Sequence, residues 1–177
     1  MKITAQEEYG LRCVVAVARA IATKKPLAIS EIAKTEGLST QYVAKLMNVL
    51  KRQDLVTSTR GLCGGFTLAK PATQISVIEV LRALGGGFDM NSEHICSHFP
   101  GKKPSCVHLG SCSVRPMWMI IQRHITDFLQ HLTLQDLLNE ETAAAARMEQ
   151  FMREIADNDR ALQGASTAKR ERSLGAR

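Results

Sequence analysis

No apolar stretch of this chain is long enough to cross a bilayer. The best run, Cys13 to Ala22, is interrupted by Arg19 and preceded by Glu7, Glu8 and Arg12. It is too short for a span, and its charges are wrong for the apolar region of an export signal. An even cysteine set is also missing. Five cysteines in a chain without an export signal argue against a disulfide framework. The expected compartment is the cytoplasm, where thiols stay reduced and can hold metal. The glycine-rich run Arg60-Gly61-Leu62-Cys63-Gly64-Gly65 lacks a following Gly-Lys-Ser/Thr, so it is no phosphate loop. Nucleotide-binding and nucleophilic constellations are absent too, as are internal repeats. The sequence therefore predicts neither an enzyme nor a small-molecule substrate, and no membrane partner.

What the chain does have is an uneven charge. Residues 1–75 carry 11 Lys/Arg against 5 Asp/Glu, a net +6 that equals the formal net charge of all 177 residues. Such a segment predicts a polyanion partner.

The same segment reads as a series of short helices. Thr4 to Glu7 forms a capping box. Tyr9, Leu11, Val14, Val15, Val17, Ala18 and Ile21 follow as a wide apolar face, to about Ala22, before Pro26 breaks the pattern. Ser30 is the expected N-cap of a second helix through Ile32 and Ala33, stopped near Gly37. Ser39 is the expected cap of a third, running to about Gln53. Helix, glycine-containing turn, helix is the grammar of a helix-turn-helix. In the third helix Val43, Leu46, Met47 and Leu50 recur at core-facing spacing. Gln41, Ala44, Lys45, Asn48 and Arg52 fall on the other side, an amide-bearing and basic face suited to base edges and phosphates. Two β-like runs follow, Leu55 to Thr59 and Phe66 to Ala69, joined by the glycine-rich turn. A hairpin directly after a helix-turn-helix is a wing, and Arg60 at its base is placed to reach a minor groove.

Beyond residue 75 the character changes. Ser76 to Glu79 is a second capping box, opening a helix that ends at Gly85-Gly86-Gly87. The stretch that follows holds Cys96, Cys106 and Cys112, spaced Cys-x9-Cys-x5-Cys, with His94, His98 and His108 among them. Thiolates are soft ligands, and structural zinc prefers closer Cys pairs, so a larger iron–sulfur unit suits these spacings better. Spacing alone leaves a cluster, a zinc ion and no metal open. Cys13 and Cys63 are expected to pack or stay idle. After Pro116, the positions Val114, Trp118, Ile121, Ile125, Phe128 and Leu132 make a heptad seam of nearly three repeats, predicting helix pairing across a dimer. Thr133 with Asp136 caps a short helix to Asn139. From Glu140 an Ala-rich helix with Met148, Phe151, Met152 and Ile155 on one side is expected to reach about Asp157. The basic tail from Gly164 to Arg177 is expected to be disordered.

Several of these motifs, in order over about residues 1–140, resemble the Rrf-two family of bacterial winged-helix regulators. They are Met1-Lys2-Ile3-Thr4, Glu8 to Arg12, Leu38-Ser39 with Tyr42-Val43 and Leu46, Leu55-Val56, and the cysteine loop. The most specific is the wing Arg60-Gly61 with Gly64-Gly65-Phe66. The resemblance implies homodimers that pair through the long helix after the cysteines, here by Trp118, Ile121, Ile125 and Phe128, and that bind pseudo-palindromic double-stranded DNA operators. It also implies that Cys96, Cys106 and Cys112 hold an iron–sulfur cluster of two or four irons. The first gap is longer than the family's usual five residues. One branch of the family uses a histidine three residues after the last cysteine, where this chain has Arg115. Another uses an acidic residue on the first helix, which makes Glu8 the implied fourth ligand, with His98 or His108 next. Ala44 replaces a glutamate that distinguishes operator types in the family.

The expected molecule is thus mainly α with a small β-wing. A winged helix-turn-helix DNA reader spans 1–75, a cluster loop and dimerisation helix 76–140, and a C-terminal helix and tail 141–177. The DNA contacts expected are Ser39, Thr40, Gln41, Tyr42, Lys45, Asn48, Arg52 and Arg60. The expected function is a transcription regulator, a repressor gated by a cluster that senses nitric oxide, redox or iron status. Rival readings are a winged-helix protein with structural zinc or no metal, and an iron–sulfur electron-transfer protein.

Overall fold

The computed structural model describes residues 3–21, 25–61, 64–86, 96–97 and 99–174, with side chains to residue 157. Cys63, Gly87, His94 and His98 lie outside the described residues. The chain divides into a compact unit Met1–Leu138 and a second unit Asn139–Arg177.

The first unit opens with α1 (Ala5–Ala20). As expected, Thr4 and Glu7 close a capping box: the Thr4 N–H donates to the Glu7 carboxylate at 2.6 Å, and the Glu7 N–H donates to the Thr4 hydroxyl at 3.2 Å. α2 (Ile29–Glu36) starts earlier than expected. Its N-cap is Ala28 rather than Ser30, because Glu31 reaches back to accept from the Ala28 N–H at 2.9 Å. A carboxylate three residues into a helix can serve the cap from inside when no capping hydroxyl precedes it. Gly37, at φ 67°, ends α2 in the left-handed conformation that a side chain resists. α3 (Thr40–Arg52) is capped by the Ser39 hydroxyl, which accepts from the Tyr42 N–H.

β1 (Val56–Thr59) and β2 (Gly65–Leu68) pair antiparallel, with Val56 opposite Leu68 and Thr59 opposite Gly65. The hairpin is the expected two-stranded wing. Leu27, in the α1–α2 connection, joins Phe66 in an isolated bridge through two backbone hydrogen bonds of 2.9 Å. This explains Gly65, where a Cβ would lie 2.6 Å from the Leu27 carbonyl oxygen.

α4 (Val77–Ala83) carries the second expected capping box, Ser76 with Glu79. The long helix α5 (Arg115–His131) has Pro116 in its first turn. Its C-terminal end is stitched to the reader. The Val77 N–H donates to Leu132 O at 2.7 Å, and the Leu134 N–H donates to Ile75 O at 2.9 Å. Thr133 donates to Asp136 ahead of a single 3-10 turn, Asp136–Leu138.

The core fills the space between these elements. Cys13, Val14 and Val17 of α1 meet Ile32 of α2 and Val43, Leu46, Met47 and Leu50 of α3, together with Val56, Ile75, Val80 and Leu134. Each such side chain contributes about 1.5–3 kcal/mol by leaving water.

In the second unit, α6 spans Glu141–Leu174. The helix thus continues past Asp157 and includes 164–174, where a disordered tail was expected. The added segment lacks proline and is rich in Ala, Arg, Leu, Gln, Lys and Glu, all strong helix formers; its one glycine, Gly164, costs only about 1 kcal/mol.

Gly65→Ala is expected to destabilise the fold by about 1–3 kcal/mol, since the new methyl must displace backbone. Chemical denaturation checks this, and an unchanged midpoint would contradict the close Leu27–Gly65 approach.

Candidate nucleic-acid interface and cysteine loop

The packing of α3 determines what it shows to solvent. Val43, Leu46, Met47 and Leu50 are completely buried, so the helix cannot roll without exposing four apolar side chains. Its opposite face therefore presents Gln41, Lys45, Asn48 and Arg52 to solvent, with Ser39 and Thr40 exposed at its start. Ala44 is half-buried at the edge of that face. Tyr42 is half-buried as well, its ring meeting Tyr9 of α1 edge-on at 6.2 Å between centroids. Tyr42 thus spends part of its surface on packing and offers less to a ligand than its neighbours.

α1 and α2 are held to the same assembly by Arg12. Its Nε donates to the Glu36 carboxylate at 2.8 Å and its Nη2 to the Glu36 carbonyl at 3.2 Å, while the guanidinium lies 5.6 Å from the Tyr9 ring centre. Glu36 holds the Arg12 pKa above its ordinary value.

Arg60 is exposed where β1 ends. One contact was not legible in the sequence: the Lys51 ammonium donates to the Ser58 hydroxyl at 2.6 Å, tying the last turn of α3 to the wing. The only hint was a basic residue at a helix C-terminus, a feature too common to single it out.

From residue 99 to 114 the cysteine loop runs through turns and bends. Cys96, Cys106 and Cys112 are free thiols and half-buried, whereas Phe99, Val107 and Leu109 around them are exposed. Between the last two cysteines the Leu109 N–H donates to Cys106 O and the Ser111 N–H to His108 O, both at 3.2 Å. Arg115, at the start of α5, clamps this turn: Nη2 donates to His108 O at 3.1 Å and to Leu109 O at 2.8 Å. Its Nε is buried and has no acceptor among the described residues. Glu8 is exposed on the first turn of α1, next to the buried capping residue Glu7. Among the described residues no three His, Cys, Asp or Glu side chains converge as a metal group. The structure therefore does not bring the three thiols and Glu8 together, and His108 is exposed in the turn. Cys13 packs in the core, where burial pushes its thiol up to about 11, so it is inert at neutral pH.

α5 begins as an exposed apolar helix. Val114, Met117, Trp118, Met119, Ile120 and Ile121 all face solvent, whereas Ile125 and Phe128 are half-buried. Among the described residues no helix is long and apolar enough to cross a membrane.

Residues 3–140 match the protein family described as Rrf2, iron-dependent transcriptional regulator. Protein rrf2 of Nitratidesulfovibrio vulgaris is 31% identical over 140 residues, covering 79% of this chain and 89% of its own. The HTH-type transcriptional regulator IscR of Klebsiella pneumoniae is 28% identical over 160 residues, covering 90% and 93%. Among solved structures, the global cysteine regulator CymR of B. subtilis superposes with a TM-score of 0.63 at 26% identity, over 78% of this chain and 96% of that one. T. potens IscR does so with a TM-score of 0.61 at 25% identity, over 78% and 86%. These relatives are transcriptional regulators, not enzymes.

Two substitutions test the exposed face. Asn48→Ala is expected to reduce discrimination between the cognate promoter fragment and unrelated DNA by about 1–3 kcal/mol, as for a side chain that reads a base. A uniform loss on both DNAs would assign it to phosphate instead. Arg60→Ala is expected to weaken promoter binding, and unchanged affinity in the same titration would remove the wing from the interface.

Proposed function

We propose that this chain, which belongs to the Rrf2 family of DNA-binding transcriptional regulators, is a homodimeric repressor whose operator affinity is set by an iron–sulfur cluster. The observation that carries this reading is the junction at 96–121. Three half-buried free thiols lie in a loop that leads directly into an exposed apolar helix. The IscR name of several relatives agrees with a cluster of this kind.

The donor chemistry fits such a group. Cys96, Cys106 and Cys112 are soft ligands on a turn-rich segment. Glu8 is the fourth ligand in this reading, with His108 next. When bound, the cluster supplies a centre that reacts with nitric oxide or oxygen and depends on iron supply.

The chain's own residues then provide the link to DNA. Ligation by Glu8 would tie the first turn of α1 to the cysteine loop. Tyr9 and Arg12, one and four residues further along α1, touch Tyr42 of α3 and Glu36 of α2. A shift at the N-terminus of α1 is therefore felt where Gln41, Lys45 and Asn48 meet the operator. Pairing of two copies along Trp118, Ile121, Ile125 and Phe128 buries the apolar face of α5. It also sets two α3 helices about one DNA turn apart, roughly 34–36 Å.

A second reading, the same regulator without a cluster, is favoured by one observation: the thiols do not converge among the described residues. Anaerobic purification separates the two. The cluster reading predicts a brown protein containing iron and acid-labile sulfide, and a Cys106→Ser variant that loses both. Colourless wild-type protein, with stoichiometric zinc or with no metal, contradicts it.

A further inference from the structure

α6 takes no part in the DNA face or the cysteine loop, yet its surface is patterned. It runs for 34 residues and is the only helix or strand of the second unit among the described residues. A single helix has no core of its own, and most helices in proteins are stabilised by packing an apolar face. Ala144, Met148, Phe151 and Ile155 form such a face at alternating four- and three-residue spacing. All four are half-buried, and Met152 at the edge is 52% exposed. The spacing continues in the sequence through Asn158, Leu162 and Ala165. It is the alternation of a coiled-coil seam, in which each apolar side chain enters a gap on a facing helix. Away from the seam, Arg153 pairs with Glu149 on the same helix at 3.4 Å.

The charges beside the seam indicate what faces it. Arg147 and Glu154 occupy equivalent flanks, each immediately before a seam residue. The Arg147 guanidinium lies 4.0 Å from the Phe151 ring centre, so it sits against the seam. Glu154 accepts from Gln150 through Oε1 at 2.8 Å, and a carboxylate has capacity for further donors. Flanking charges of this kind set the partner and orientation of paired helices. Two parallel copies would set Glu154 against Asp159 of the second, like charge on like. Two antiparallel copies set Arg147 of each against Glu154 of the other, which gives two ion pairs related by symmetry.

We infer that α6 is a second self-association surface, pairing antiparallel with α6 of a second copy of this chain along Ala144, Met148, Phe151 and Ile155. This contact is separate from the pairing along α5 and does not depend on a metal.

Photochemical cross-linking of the full-length chain tests it. With benzoylphenylalanine in place of Phe151, irradiation is expected to give a product of doubled mass, in which position 151 is joined to residues 144–155 of a second copy. The same group in place of Arg153, on the far side of the helix, is expected to give none. Arg147→Glu and Glu154→Arg are each expected to lower the yield of the doubled product at least about 3-fold, on the scale of losing two exposed ion pairs. Combining them rebuilds both pairs with their signs exchanged and is expected to restore the yield. The two positions lie about 10 Å apart along one helix, so such a rescue has to come from a second chain. Absence of the doubled product, equal yields at 151 and 153, or a link to another part of the second copy overturns the proposal. So does a double variant that fails to recover. Should the group at 151 unfold the chain, Met152 takes it, with the same product expected. Every variant keeps the apolar face of α5, so a negative result leaves the pairing of that helix untouched.

Discussion

The seating of α3 on α1 is the constraint from which the rest of the molecule follows. Val43, Leu46, Met47 and Leu50 interlock with Cys13, Val14 and Val17, and the four α3 side chains are fully out of water. At about 1.5–3 kcal/mol for each buried side chain, this contact is comparable to the whole net stability of a small domain. It also fixes orientation. A helix locked on one side has no freedom in what it shows on the other, so Gln41, Lys45, Asn48 and Arg52 stand on one rigid, solvent-facing surface. The Lys51–Ser58 bond and the Leu27 bridge extend that rigidity to the wing. α1 is thus the shared support of the reader. It also carries Glu8, so any force applied to its first turn acts on the element that positions α3.

The second half of the unit is anchored differently at its two ends. At the C-terminal end of α5, backbone bonds from 132–135 to 72–77 and the buried Leu132 and Leu134 join the helix to the reader's core. At its N-terminal end, Trp118, Ile120 and Ile121 remain in water and the cysteine turn is held by Arg115. A soluble monomer rarely leaves such a contiguous apolar surface uncovered. The exposed end of α5 follows the half-buried Cys112 directly in the chain. In the reading proposed here, dimer contact and metal binding are neighbours on the same segment of chain.

Much of this could be read from the sequence because it rests on local chemistry. The boxes Thr4–Glu7 and Ser76–Glu79, the Ser39 cap, the Gly37 stop and the α3 core stripe each depend on residues within one or two turns. The features that were not legible are nonlocal or depend on degenerate signals. Ser30 looked like a cap, but Glu31 served the earlier Ala28 instead. Leu27 is too short a run to read as a strand, and its pairing with Phe66 is set by the fold. The end of α6 lies beyond the expected Asp157 because helix propensity over 158–174 outweighed the small, polar and basic character of the tail. For the site, the polar face of α3 was visible from periodicity. The Lys51 strut and the Arg115 clamp were not, since each joins residues whose meeting only tertiary structure brings about.

The central claim is that the state of the cysteine loop governs DNA binding. Coupling of that kind is a difference in affinity between two states of one protein, and it has typical magnitudes of 5–150-fold. The most direct measurement is the affinity of the wild-type protein for its promoter fragment, with the cluster loaded and after its removal, at fixed salt and protein concentration. The account predicts that the two affinities differ by about 10-fold or more. Equal affinities would contradict it, because a ligand that does not distinguish two states cannot shift the balance between them.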